Sequence, residues 1–396
     1  AEVGAFAPWM FVIFGGLYAC TMLIVARLAT MFRSSGGSQL WAQAAFGPFI
    51  GFQIGWWAVL GIAAGRAATL YVLVAYLAVI FPVFAEPVPQ ALALGFLLIA
   101  ITGIVLSGMR NSIGSLFVGT ILKVSPILIL CAVAFASGGV ATEFALPKLG
   151  QVESVVLLVY YAFSGADNAI FSAGEFKRPE RDIPLTMLMS VAIIMIFYMV
   201  VQWALIAAGA PQSEGDATPL AAAAGAVMGE AGVLMISLAA VFSIAANALT
   251  FFIAGPRIAF AMAERGLLPE SFAHVSPRFL TPARAIMLFA AIVGLMLVSG
   301  AFAFLASVTA LSATLATLVV IVAFVVLMRR KDDRHDGKLP LTWWPVIALA
   351  TGFALFTALQ ADPSAYGLLC GLVAVGTGLY FLASRREGRV SQPVFE

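Results

Sequence analysis

Residues 155–184 read VVLLVYYAFSGADNAIFSAGEFKRPERDIP. The stretch opens as an apolar run of the kind that crosses a bilayer. Near its middle the pattern breaks at Phe163-Ser164-Gly165-Ala166-Asp167-Asn168, and it closes in a charged run at 175–182 followed by Pro184. A carboxylate at the centre of a membrane helix costs about 2.5–3.5 kcal/mol on insertion scales, so such residues are rare and usually functional. The small residues beside Asp167 let a helix unwind. Unwound backbone at that depth is tolerated only where protein buries it or a cavity lines it. The stretch is therefore expected to form a helix broken near 163–168 that offers backbone groups to a ligand. The plainer alternative is a kinked helix in which Asp167 bonds a neighbouring helix.

The rest of the chain has a membrane composition. Its 396 residues are 62% hydrophobic and only 10% charged, where soluble domains carry about 25% charge. Mean hydropathy is +1.05. Cys20, Cys131 and Cys370 all fall inside apolar stretches and read as small buried hydrophobes. His274 and His335 lie in charged loops. No metal-ligand spacing, glycine-rich phosphate loop or Ser/His/Asp arrangement stands out. No metal or cofactor is therefore expected, and a membrane-embedded enzyme would lack its acid/base pair or nucleophile. The chain opens without a basic segment or a cleavage-site pattern, so no signal peptide is in view.

Eleven apolar stretches have spanning length, at about 7–30, 48–80, 90–108, 115–137, 155–176, 185–209, 231–262, 283–300, 303–328, 342–360 and 365–384. The loops between them alternate in charge. Arg33, Arg110, the bases at 177–181, Arg265, Arg278, Arg284 and those at 329–338 and 385–389 fall on one side, against Lys148 alone on the other. An excess of Lys and Arg marks the cytoplasmic side, which puts the C-terminus inside. The expected organisation is a transport core at 1–328, a cytoplasmic linker at 329–341 (containing RRKDDRHDGK), a helix pair at 342–384 and a cytoplasmic tail at 385–396. Broken helices with sites near the midplane are a device of secondary transporters built from inverted repeats. Arg27, Arg66, Lys123 and Asp167 lie inside or near the spans, Arg257 lies near the cytoplasmic end of its span and can snorkel, and Asp167, the only acid in the membrane interior, can approach either Arg66 or Lys123.

Four stretches together resemble the amino acid–polyamine–organocation (APC) superfamily, and its amino acid permeases in particular. The most specific is GPRIAFAMAERGLLPESFAHVSPRFLTP at 255–282, similar to the segment after the family's eighth helix. AFSGADNAIFSAGEFKRPERDIP at 162–184 resembles the family's broken sixth helix. Ser35-Gly36-Gly37 with Phe46-Gly47-Pro48-Phe49 is similar to the start of the third helix, and TILKVSP at 120–126 to the fifth. The resemblance covers residues 1 to about 380. It implies an all-α polytopic membrane protein with a 5+5 plus 2 helix inverted-repeat fold, eleven of whose spans lie in this chain. In this register the first stretch matches the family's second helix, so the helix with the family's glycine-rich break is expected before Ala1. Arg27-Leu28 departs from the Glu-Leu pair often found in relatives, and Arg33-Ser34-Ser35 lacks their Pro before Gly-Gly.

The same resemblance implies a set of site residues. Ser164, Gly165 and Ala166 would present backbone to a substrate, with Tyr161 or Phe163 as an aromatic lid. Arg66, on the third helix, would attract a substrate carboxylate and disfavour basic side chains, or else pair with a carbonyl or with Asp167. Lys123 would stand where sodium-coupled cousins hold their ion. Asp167 would exchange protons, since a desolvated carboxylate holds a proton more readily. The expected function is a permease for amino acids working by alternating access, coupled to protons or exchanging. Neutral or acidic substrates are favoured, in a bacterial inner membrane. The alternatives are a cationic amino acid or polyamine antiporter, and a membrane amino acid sensor that does not transport. Membrane lipid is the other partner, and nucleic acid is not expected.

Overall fold

The computed structural model describes residues 3–32, 37–108, 113–138, 146–166, 176–209, 218–276, 279–299, 302–330 and 339–387. Among these the regular elements are helical: α1 (Ala7–Met31), α2 (Gly37–Phe46), α3 (Pro48–Ile80), α4 (Pro87–Leu106), α5 (Ile113–Gly138), α6 (Leu149–Phe163), α7 (Pro179–Ala207), α8 (Pro219–Phe251), α9 (Ala254–Glu264), α10 (Ala283–Ser299), α11 (Phe302–Arg329), α12 (Trp343–Leu359) and α13 (Pro363–Glu387). Helices dominate because a chain this apolar satisfies its backbone groups within each segment. Seven described spans are long and apolar enough to cross a membrane. Four shorter apolar helices, at Lys123–Gly138, Leu149–Phe163, Ala283–Val298 and Trp343–Leu359, coincide with the remaining apolar stretches.

Two elements differ from the sequence reading. The loop ahead of α3 contains a helix of its own, α2, which is too short to span and buries Leu40 and Trp41 against the bundle. Gly47, at φ +95°, turns the chain sharply from α2 into α3, and Pro48 opens α3 where its missing N–H does no harm. The stretch expected at 231–262 is not one straight span. Helix α8 begins at Pro219, is broken at Gly229 (φ 64°, ψ −158°) and ends at Phe251, and α9 follows from Ala254. Glu230 beside a glycine made the early part of α8 look like loop.

The centre of the molecule is α3. In their most apolar windows α3, α1 and α11 are 61%, 56% and 50% buried, against 22% for α4 and 17% for α7. The reason is visible in small residues. A Cβ on Gly61 would lie 3.2 Å from the Ser312 side chain of α11, and the Ser312 hydroxyl donates to the Trp57 carbonyl at 2.7 Å. On another face the Trp56 indole N–H donates to the Leu372 carbonyl of α13 at 2.9 Å. Without a hydrophobic driving force between helices in lipid, such close backbone approach and interhelical bonding hold the bundle together. The outer helices carry the opposite signature. On α4, Leu92, Phe96 and Ile99 are 69%, 71% and 73% exposed, a stripe at helical spacing that suits acyl chains.

Candidate functional site

The broken end of α6 is built by its own sequence. The helix stops at Phe163, and Ser164 leaves the helical region at φ −59°, ψ 131°. Its N–H turns back to the Tyr161 carbonyl at 3.0 Å, and the Ala166 N–H reaches the Phe163 carbonyl at 3.3 Å. Between them Gly165 sits at φ +100°, a conformation that glycine adopts without a Cβ clash. The last carbonyls of a helix have no partner along it and are open to other donors. Ser164 and Gly165 are exposed, whereas Ala166 is buried. Asp167 and Asn168 lie outside the described residues, and so does any Arg66–Asp167 or Lys123–Asp167 pairing.

The two candidate aromatics face different ways. Phe163 is fully buried: its ring stacks on Tyr18 of α1 at 5.5 Å between centroids and lies 6.2 Å from Phe11. It closes the seam between α6 and α1. Tyr161 is half-buried and turns toward α3 and α11. Its ring edge would touch a Cβ on Gly65 at 4.0 Å, beside Thr309 of α11, and it meets Phe302 edge-on at 6.2 Å.

Arg66 stands one residue beyond Gly65, near the middle of α3. Ala64, Gly65, Ala67 and Ala68 around it are buried, yet Arg66 itself is only half-buried. Arg66 Nη1 donates to Asn247 Oδ1 on α8 at 3.0 Å. Tyr161 is also near enough to Arg66 to interact with it electrostatically. The structure thus gathers Arg66, Tyr161, Asn247 and Thr309 from four helices, next to the break in α6.

Among the described residues Lys123 makes no hydrogen bond or ion pair that would tie it to this group: its helix α5 packs on α8 and α7. It is exposed on α5, three residues before Pro126, and no bond joins it to Arg66, Tyr161 or Asn247 among the described residues. The charged run after the break makes one ion pair among its described residues, Arg178 to Asp182 at 3.9 Å. Its partners are 72% and 28% exposed, so it contributes little. No ion pair joins this run to Glu264 or Arg265 among the described residues.

Asn247 and Thr309 were not singled out from sequence. A search for charges passes over both. The usable signal was the lone amide of Asn247 in the run SIAANAL at 243–249, since an amide in hydrocarbon needs a partner.

The family model described as "Amino acid permease" matches residues 1–366. The chain is similar to the methylthioribose transporter of Bacillus subtilis, at 26% identity over 96% of this chain and 86% of that protein. It is similar to the branched-chain amino acid permease BcaP of the same organism, at 27% identity over 93% of this chain and 84% of the relative. It also resembles the vacuolar cationic amino acid transporter 4 of Arabidopsis thaliana, at 26% identity over 69% of this chain and 49% of that protein. With apolar helices of spanning length and a match over most of its sequence, the chain is an integral multi-pass membrane protein that belongs to the amino acid permease family of the APC superfamily.

Proposed function

We propose that this protein is a secondary active transporter of amino acids that works by alternating access, coupled to protons or exchanging. The observation that carries the proposal is the end of α6 at Phe163 beside Arg66 in mid-span. A broken helix supplies backbone groups without helical partners, and Arg66 supplies a charge for a carboxylate. Ser164, Gly165 and Ala166 offer the backbone, and Tyr161 rather than the buried Phe163 is the aromatic that covers the substrate. Arg66 favours neutral or acidic substrates, which fits the relative named as a branched-chain permease. The relative named as a cationic transporter keeps the antiporter reading as the alternative. Lys123 and Asp167 are assigned the proton coupling.

Helix packing supports a two-repeat core. Exchanging α1, α3, α4 and α5 with α7, α8, α10 and α11 turns the α3–α11 contact into α8–α5 and the α3–α10 contact into α8–α4, and all four exist. The α1–α7, α3–α8 and α4–α10 contacts map onto themselves. On this reading residues 1–328 are the core, 329–341 a cytoplasmic linker, 342–384 a peripheral pair and 385–396 a cytoplasmic tail, in a bacterial inner membrane.

The test is uptake by the full-length protein in proteoliposomes, with labelled L-leucine, L-glutamate and L-lysine and an imposed pH gradient. Saturable uptake of leucine or glutamate, raised by acid outside, is expected. Lysine as the best substrate would favour the antiporter. Binding without uptake would favour a sensor and overturn the proposal.

A further inference from the structure

Helix α2 stands where the chain passes between two groups of helices. α1 packs mainly on α7 and α12, whereas α2 packs on α3 and α11. Gly47, at φ +95°, lets α2 fold back along the first turns of α3. The contact is close: a Cβ on Gly51 would lie 2.6 Å from Gln43 Cβ, and one on Gly55 would lie 3.2 Å from Gln39 Cγ. These two glutamines, one helical turn apart, thus lie in the seam between α2 and α3. Among the described residues Gln39 Nε2 and Gln43 Oε1 have no hydrogen-bond partner, and neither exposes even 1 Å² to water. A buried donor or acceptor without a partner destabilises the packing that encloses it. The first ten residues of α8 make a similar arm without this feature. Residues 219–228 fold back at Gly229 (φ 64°), with the Ala224 carbonyl oxygen 2.9 Å from a Cβ on Gly232, but their side chains are all apolar.

We infer that α2 is a yielding arm: its seam with α3 parts during the transport cycle, and the amides of Gln39 and Gln43 set how readily it does so. This rests on the transport reading above, in which each face of the protein opens in turn. As packed, the seam pairs these two atoms neither with protein nor with water. Once α2 lifts from α3, both are hydrated. The amides therefore favour the parted arm. Arg330 opposes them at the hinge end, donating to the Ala44 and Ala45 carbonyls at 2.7 and 2.9 Å. The arm at 219–228 has no buried amide to release, so it stays docked more firmly. A helix as short as α2 is marginal once undocked, so parting is readable as backbone hydrogen exchange across 37–46.

The experiment compares wild type with the double variant Gln39→Met/Gln43→Met in the full-length protein in proteoliposomes. Methionine keeps the length of the side chain and removes the amide. Two readouts are taken: hydrogen exchange across 37–46, and saturable uptake of labelled L-leucine, L-glutamate and L-lysine. Exchange is expected to slow about tenfold. The maximal uptake rate is expected to fall about threefold or more with KM unchanged, because parting then limits the cycle. Exchange as fast as in wild type overturns the inference, and is the result if the two amides simply rotate to bond each other. Faster exchange also overturns it, since the amides would then hold the seam together. Slowed exchange with an unaltered uptake rate removes α2 from the cycle and leaves the transport reading intact. If wild type carries none of the three amino acids, it is the transport reading that fails, and the inference falls with it. Should the double variant not fold, Gln39→Met alone is read by the same criteria, with exchange expected to slow about threefold.

Discussion

Replacing Phe163 with alanine tests whether the broken end of α6 is anchored from inside the bundle. The ring is fully buried, stacked on Tyr18 at 5.5 Å and 24°, with Phe11 at 6.2 Å. On the other side of the seam, a Cβ on Gly15 would lie only 3.0 Å from the ring, so α1 already approaches as closely as its backbone allows. Truncation to alanine removes about 100 Å³ of side chain, and at about 24 cal/mol per Å³ of unrelaxed cavity the loss is about 2.4 kcal/mol. The ring pairing with Tyr18 adds about 0.5–1.5 kcal/mol. Transfer from water adds little, because an unfolded helix in a membrane stays in lipid. The expected destabilisation is therefore about 3 kcal/mol. Reversible unfolding in mixed SDS micelles, followed by tryptophan fluorescence, measures it. A loss below about 1 kcal/mol, accompanied by weaker substrate binding, would show that Phe163 faces ligand and that the packing argument is mistaken.

Other substitutions follow from the same contacts. Gly165→Ala forces a Cβ into φ +100°, costing about 1–3 kcal/mol of backbone strain. Uptake should fall sharply while the protein remains folded, and full activity would mean the turn is not needed. Arg330 donates to the Ala44 and Ala45 carbonyls at 2.7 and 2.9 Å, capping the end of α2. Arg330→Ala should speed amide exchange across residues 37–46 by about fivefold, given about 1 kcal/mol for such a cap at a partly exposed site; unchanged exchange would remove the latch. Lys123→Ala should flatten the pH dependence of uptake while retaining some binding, and a wild-type pH profile would return Lys123 to a structural role.

Much of the architecture was legible in the chain because membrane insertion is a local rule. Each apolar stretch must pair its own backbone groups, so length and composition mark the helices without knowledge of their neighbours. The end of α6 was legible for the same reason: Ser164 and Gly165 carry their conformational preference within a few residues. Helix α2 was hidden because, at ten residues, it is too short for a hydropathy argument and is stabilised by packing on α3. The break at Gly229 was hidden because the flanking Glu230 reads equally well as a loop.

The site divides along the same line. Sequence alone marked Arg66 as a charge in hydrocarbon that must find a partner, and Tyr161 and Phe163 as aromatics beside a break. Only the tertiary structure decided that Arg66 bonds Asn247, 181 positions away, and that Tyr161 turns to α3 while Phe163 is sealed against α1. The physical reason is that a helix fixes which residues share a face, but the partner of that face is chosen by close packing of small residues. Gly61 against Ser312 and Gly65 beneath Tyr161 bring together segments whose separation in the chain carries no trace of the contact.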